Sequence, residues 1–294
     1  ITPQFWGSCD GIVNLSMCHA AGLTDDKIRW LVDSGRWQYV YPRTLATFSG
    51  PVPYRSRLWA AVLYAGASLS HETAGALYGL CAPSPAIHVT VAYQREVDHQ
   101  PSLLMHRSRG FGAQHTTSNE PRRTTLERTV LDLLARRTNA DSALGLVGDA
   151  IRTRRTTVPR LRAALVSSPR TRWRRVVLEA MPDLSAGAQS PLELREAALR
   201  RRHGLPLGTR QVGRTADGAE YLDVLVERWR VHVELDGRLG HDRTRERWRD
   251  MRRDNRSEVA GLRHLRYGWA DIVDRPCEVD IQQALILRQQ SWPG

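Results

Sequence analysis

The sequence predicts an α/β (α+β) chain in which helices and short strands are interleaved, and three observations carry that expectation. An early stretch reads helix, short turn, helix, hairpin. A middle stretch is helical and rich in arginine. A late stretch, Tyr221 to Asp236, holds two β-branched runs separated by Glu-Arg-Trp-Arg, the pattern of a hairpin. With 294 residues the chain is long enough for more than one core. The division expected is 1–50, 51–182 and 190–294, with the polar, Gly-containing segment Pro182 to Gln189 as the boundary before the last part.

In order, Ile12 to Ala21 reads as a helix closed by Gly22. Thr24 or Asp25 caps a second helix, whose buried stripe is Ile28, Leu31 and Val32, and Gly35 stops it. Residues Arg36 to Tyr41 and Thr44 to Phe48 read as strands about a Pro42-Arg43 turn. This is the order of a winged helix-turn-helix, in which the second helix enters the major groove and the hairpin touches backbone. The outward positions of that helix are Asp26, Arg29, Trp30 and Asp33, so two acids share the expected reading face. A protein-contact role for the same unit therefore stays open beside DNA binding, with Arg29 and Arg43 as the phosphate-facing candidates.

Tyr54 to Tyr64 and Ser70 to Leu80 follow as amphipathic helices, the second capped by Ser70. For His71, in its first turn, a cap or packing role is expected. Ile87 to Tyr93 alternates as a strand, with Leu103 to Arg107 as a partner. Helices are expected from Thr124 or Thr125 to Ala135, over Ala140 to Arg152, Pro159 to Ser167 and Trp173 to Met181.

Charge is unevenly spread. The net charge is +12, yet residues 1–100 hold seven basic and seven acidic residues, while residues 151–200 hold eleven Arg against four acids. Such an excess favours a polyanion, DNA first, as partner. The run Arg152 to Arg175 contains no acid, and its Arg154, Arg155, Arg170, Arg172, Arg174 and Arg175 are candidates for phosphate contact without sequence specificity. A merely solubilising surface would look the same. Four scattered cysteines lack CxxC spacing, so neither zinc nor a disulfide framework is indicated. The longest apolar stretch falls short of the ~20 residues a spanning helix needs. No signal peptide is seen, and a cytoplasmic protein without membrane contact is expected. The first residue is Ile, which suggests a processed or truncated start.

The densest chemistry lies in the late hairpin. A four-residue loop, Glu227 to Arg230, sets Val226 opposite Val231 and hence Asp223 opposite Glu234. Opposite residues share a face about 5 Å apart, and strand alternation adds Asp236 to it. Three carboxylates in one patch repel unless compensated, and a divalent cation, Mg²⁺ or Mn²⁺, suits oxygen ligands. Ser190, Pro191 and Glu193 open a helix as a capping box. Arg243 to Ala260 reads as a helix carrying Arg249 and Arg253 among alternating charges, then Gly261 as its stop. Leu262 to Tyr267 reads as a strand and Glu278 to Gln290 as a closing helix.

Asp223, then Glu234-Leu235-Asp236-Gly237, resembles the PD-(D/E)XK nucleases, in particular their very-short-patch-repair-like branch. The likeness runs from Ser190-Pro191-Leu192-Glu193 to His241, Arg253-Asp254-Asn255 and the strand ending at Tyr267. The resemblance implies a restriction-endonuclease-like core. It also implies Asp223 and Glu234 as metal ligands and Glu193 facing the cleft, while the residues themselves offer Asp236 as a further ligand or water-orienting base. The usual Lys two residues after the Glu is Asp236 here, and Lys27 is the chain's one lysine. His241 is the residue that would support the reaction in its place. The first eighty residues, through Ala21-Gly22-Leu23, Gly35-Arg36-Trp37 and Leu69-Ser70-His71-Glu72-Thr73-Ala74, resemble the N-terminal domain of abortive-infection-class antitoxins of type IV toxin–antitoxin systems. That resemblance implies DNA binding, and a cognate toxin or a second copy of the chain as partner. Two functions are thus in play: a metal-dependent DNA endonuclease, and a non-catalytic DNA-binding regulator or antitoxin.

Overall fold

The computed structural model describes residues 9–112, 120–186, 188, 190–213, 221–236 and 261–293, with the side chains of Tyr221, Asp236, Trp269, Ala270 and Val273 outside the description. The chain is mixed α/β, and it divides into two compact units, Ile1–Arg136 and Arg137–Gly294. That division falls well before the segment 182–189 where composition places a boundary. Across Pro182 the chain is still helical, running to Ser185 with Asp183 and Leu184 buried in its last turn.

The first unit opens with β1 (Ile12–Asn14), α1 (Leu15–Ala20), α2 (Asp25–Asp33), β2 (Gln38–Tyr41) and β3 (Thr44–Ala46). The strands form an antiparallel sheet in the order β1-β3-β2. The expected helix from Ile12 is corrected here. Ile12 and Val13 are β-branched, fully buried and paired with Ala46 and Leu45, and the helix begins only after Asn14, whose Oδ1 accepts the Met17 N–H at 2.9 Å. Thr24 caps α2 through the Lys27 N–H, in keeping with its place before an apolar stripe.

Beyond the hairpin come α3 (Tyr54–Ala65), β4 (Ser68–Leu69), α4 (His71–Tyr78), β5 (Ile87–Ala92), β6 (Leu103–Ser108) and α5 (Leu126–Leu134). A second sheet runs β4-β5-β6, its last pair parallel. Ile12, Leu58, Leu69, Val89 and Leu103 belong to one core, each nearly inaccessible. Ser70 stands at the N-cap of α4 without capping it, because its hydroxyl faces the His71 ring instead, 3.0 Å away.

In the second unit α6 (Ala140–Arg152), α7 (Val158–Val166), α8 (Arg174–Ser185) and α9 (Pro191–Arg202) precede a four-stranded sheet. Its strands are β7 (Thr209–Gly213), β8 (Tyr221–Val226), β9 (Val231–Asp236) and β10 (Arg263–Gly268), in the order β10-β9-β8-β7. β7, β8 and β9 are antiparallel neighbours, and β10 runs parallel to β9. α10 (Trp269–Asp274) and α11 (Pro276–Gln289) close the chain. Leu192, Val224, Val231, Val233 and Leu287 share the core. β9 is buried on both faces, since His232 and Glu234 are buried as Val231 and Val233 are. Like β8, it is flanked by strands on either side. Among the described residues no helix is long and apolar enough to cross a membrane.

Candidate metal and nucleic-acid site

The hairpin register is the one expected from the loop length. Val226 faces Val231 and Val224 faces Val233, where the paired ladder ends; continued one step, that register would set Asp223 opposite Glu234. On the other side, β7 pairs Arg210 with Val224 and Val212 with Leu222, which sets Gln211 opposite Asp223. β10 completes the row by setting Arg266 beside Glu234. Gln211, Asp223, Glu234 and Arg266 therefore lie in one line across the sheet, and opposite positions on antiparallel neighbours share a face.

Side-chain contacts tighten this row. Asp223 Oδ2 accepts the Leu235 N–H at 2.9 Å, so the carboxylate leans onto β9 next to Glu234. Glu234 is 5 % exposed, and its Oε2 lies 3.3 Å from His264 Nε2. His264 occupies the β10 position in register with His232, and the two imidazoles stack at 4.9 Å. Glu193, on the first turn of α9, is also buried. Its backbone N–H donates to Ser190 Oγ, giving one half of the predicted capping box, and its Oε2 accepts from Gln211 Nε2 at 3.5 Å. Ser190 as cap and Pro191 in the first turn start α9 at this point, which sets Glu193 at the edge of the sheet.

Sequence reasoning does not reach Gln211 as a site residue. It belongs to Thr-Arg-Gln-Val-Gly, a strand without apolar alternation, whose buried member is Arg210. Its φ of 50° is the left-handed region, which a non-glycine residue adopts at a cost of about 1 kcal/mol or more. The neighbouring Arg210 explains how the strand is held. Glu196, fully buried on α9, accepts from Arg210 Nη2 at 3.0 Å through one oxygen and pairs with Arg200 Nε through the other. Two guanidinium groups thus share one carboxylate beneath β7. Burial also pushes the Tyr267 phenol up, opposed by the nearby Arg200 charge.

Carboxylates such as those of Asp223 and Glu234 suit a divalent cation in donor chemistry. Among the described residues no three His, Cys, Asp or Glu side chains are gathered into a closed metal set. The Asp236 side chain, His241, Arg249 and Arg253, with the helix expected over 243–260, lie outside the described residues.

The arginine candidates of the middle stretch are mostly displayed to solvent. Arg154, Arg155, Arg170, Arg172 and Arg175 are exposed. Arg172 lies over the Trp173 ring, and Arg175 is 3.5 Å from Glu179. Arg174 differs, being half-buried with its Nε donating to the Leu165 carbonyl at 2.9 Å, so it joins α8 to α7. In the first unit Arg29 pairs with Asp26 at 3.2 Å on the exposed face of α2, where Lys27 sits 3.9 Å over Trp30. Arg43 is exposed at the tip of the β2–β3 turn, φ 60°.

A second polar cluster, for which the sequence assigns a role to His71 alone, lies partly buried in the first unit. His71 and His106 stack at 3.5 Å, and His88 Nδ1 lies 3.1 Å from His106 Nε2 and 3.2 Å from Glu72 Oε2. Asp132 reaches His71 Nδ1 at 3.7 Å and is held by Arg128, while Glu72 is held by Arg136. Burial, reinforced by the neighbouring imidazoles, lowers His71 and His106 to about 4 from 6.5. His88 is lowered as well, by burial first. The rings stack, and one pair, His88 and His106, also meets nitrogen to nitrogen, so the cluster packs as buried imidazoles whose neutral form is favoured. The packing role expected for His71 agrees with that placement.

No protein-family model matches the chain, and no curated protein matches it either.

Proposed function

We propose that the chain is a metal-dependent endonuclease that hydrolyses phosphodiester bonds in DNA, held to its substrate by the arginines of residues 152–175 and by the helix-turn-helix-like start of the first unit. One observation supports this above the others: the register that lines Asp223 and Glu234 on adjacent strands, with Glu193 and Gln211 beside them. When bound there, a divalent ion would polarise the scissile phosphate and lower the pKa of an attacking water. The chain's own part is to hold that ion with Asp223 and Glu234 and to keep Glu193 close by. Exposed arginines donate paired N–H groups to phosphate oxygens and carry no sequence information.

A second reading, a DNA-binding regulator or antitoxin that keeps a nuclease-like core without catalysis, is favoured by one feature. Asp236 occupies the position at which the resembling nucleases carry Lys. Incubation of supercoiled plasmid with the protein and Mg²⁺ or Mn²⁺ separates the two. Nicks or breaks that disappear in Asp223→Ala and Glu234→Ala support the enzyme. Intact plasmid with a stable, salt-sensitive gel shift supports the regulator, and neither result leaves DNA without a role. In either case, replacing Arg170, Arg172 and Arg175 with Ala should weaken binding uniformly across sequences. The slope of log K against log salt should fall by roughly one for each phosphate that the variant no longer neutralises.

A further inference from the structure

We infer that His264 is a metal ligand, together with Glu234, and that the site therefore prefers a divalent transition ion such as Mn²⁺ over Mg²⁺. The inference rests on the metal-site reading above and extends it to a residue outside the acidic motif.

Spacing and strand register together carry it. His264 Nε2 and Glu234 Oε2 are 3.3 Å apart, and their side chains are 13 % and 7 % exposed. Two ligand atoms bound to one cation at about 2.1 Å each, with a bond angle near that of a tetrahedron or octahedron, stand about 3.0–3.4 Å from each other. His264 comes to this place by construction. β10 is parallel to β9 and pairs His264 with His232, and His232 and Glu234 are alternate residues of one strand. The three positions thus share a face, and the stacked, fully buried His232 fixes the plane of the His264 ring. Asp223 is held at the Leu235 N–H on the neighbouring strand, and the proposed ligand pair is His264 with Glu234. A purely carboxylate and water shell suits Mg²⁺, whereas an imidazole nitrogen in the set moves the preference toward softer divalent ions. Lysine two residues after the Glu would add a cation at this place. In this chain an imidazole on the next strand adds a ligand instead.

Titration of Mn²⁺ into the full chain, followed by electron spin resonance, tests this without any cleavage assay. The wild type is expected to bind Mn²⁺ with a ¹⁴N coupling in the electron spin-echo modulation, and to release it only to a large excess of Mg²⁺. His264→Ala should lose the nitrogen coupling and bind Mn²⁺ at least about tenfold more weakly, with an unchanged melting profile. His264→Gln, which keeps a polar side chain of similar reach, should also lose the coupling, and it decides the matter if the alanine variant does not fold. Binding that depends on Glu234 but shows no nitrogen coupling overturns the role of His264 and leaves the carboxylate site standing. A coupling that survives in both variants overturns it equally. A wild type that binds no Mn²⁺ removes both readings.

Discussion

In the first unit Glu72 holds Arg136 and Asp132 holds Arg128, one guanidinium to each carboxylate, and the three imidazoles between them are kept neutral by burial. In the second unit Glu196 alone serves Arg200 and Arg210, while Glu234, on the row across the sheet, has an imidazole at 3.3 Å. The residue types are the same and the outcome differs. Where opposite charges match one to one, the cluster closes on itself and acts as packing. Beneath β7 one carboxylate instead meets two guanidinium groups, and along the row Glu234 meets the imidazole of the neighbouring strand. All four are histidines near carboxylates, but the first three, His71, His88 and His106, stack on one another, whereas His264 stacks on His232 and shares a sheet face with Glu234.

The largest effect expected from this contrast concerns Glu196. Removing the shared carboxylate leaves two guanidinium groups buried without a counter-charge, and breaking such a pair costs about 3–5 kcal/mol. Urea denaturation of Glu196→Ala should therefore show the second unit unfolding far earlier, with the transition of the first unit unmoved. A loss below about 1 kcal/mol would mean that Arg200 and Arg210 are already neutralised by something other than Glu196, and the one-sided charge balance drawn for this unit would fail.

The next effect belongs to the first unit and has a definite direction. His71 and His106 titrate near 4 in the native chain against 6.5 for an ordinary imidazole. As pH falls below 6.5 the unfolded chain takes up protons that the native chain refuses. Stability is thus fully present above that value and declines as pH approaches 4. Between pH 7 and pH 5 the linkage amounts to about 2 kcal/mol for His71, and to less for His106, which solvent screens more. Replacing His106 by Phe, which keeps a ring for His71 to stack on, should flatten part of this dependence. Denaturation midpoints at pH 7, 6 and 5 measure it, and a first unit equally stable at all three would mean the cluster is not proton-poor.

Much of this architecture is visible in the sequence because it rests on local rules. The Glu-Arg-Trp-Arg loop fixes the hairpin register, so Asp223 and Glu234 are found by counting, and Thr24, Thr125 and Ser190 cap the helices that follow them. What is not visible depends on partners distant in sequence. β7 carries Arg210 where an apolar residue would announce a strand, and only Glu196 on α9 makes that burial tolerable. Ile12 to Asn14 reads as helix until Leu45 and Ala46 are there to pair with it. The histidine cluster draws on α4, β5, β6 and α5 at once, and no spacing within any one of them hints at it. His264 becomes a site residue only through a parallel pairing with β9.

The smallest effect is also the sharpest test of what the row across the sheet is for. Gln211 is held at φ 50° with its side chain at Glu193, where glycine would sit without strain. If fold stability alone governed the position, Gln211→Gly would be an improvement, by about 1 kcal/mol from the released backbone strain. A site residue behaves otherwise: the variant should melt slightly higher yet bind Mn²⁺ or cleave plasmid less well, because Glu193 loses the amide that orients it. Gln211→Ala keeps the strain and removes the amide, so it should lose both stability and binding. Parallel melting and Mn²⁺ titrations of the two variants distinguish a strained residue retained for the site from one that merely completes β7. A glycine variant that gains stability and binds as tightly as the wild type would return Gln211 to the scaffold and leave Asp223, Glu234 and His264 to hold the ion.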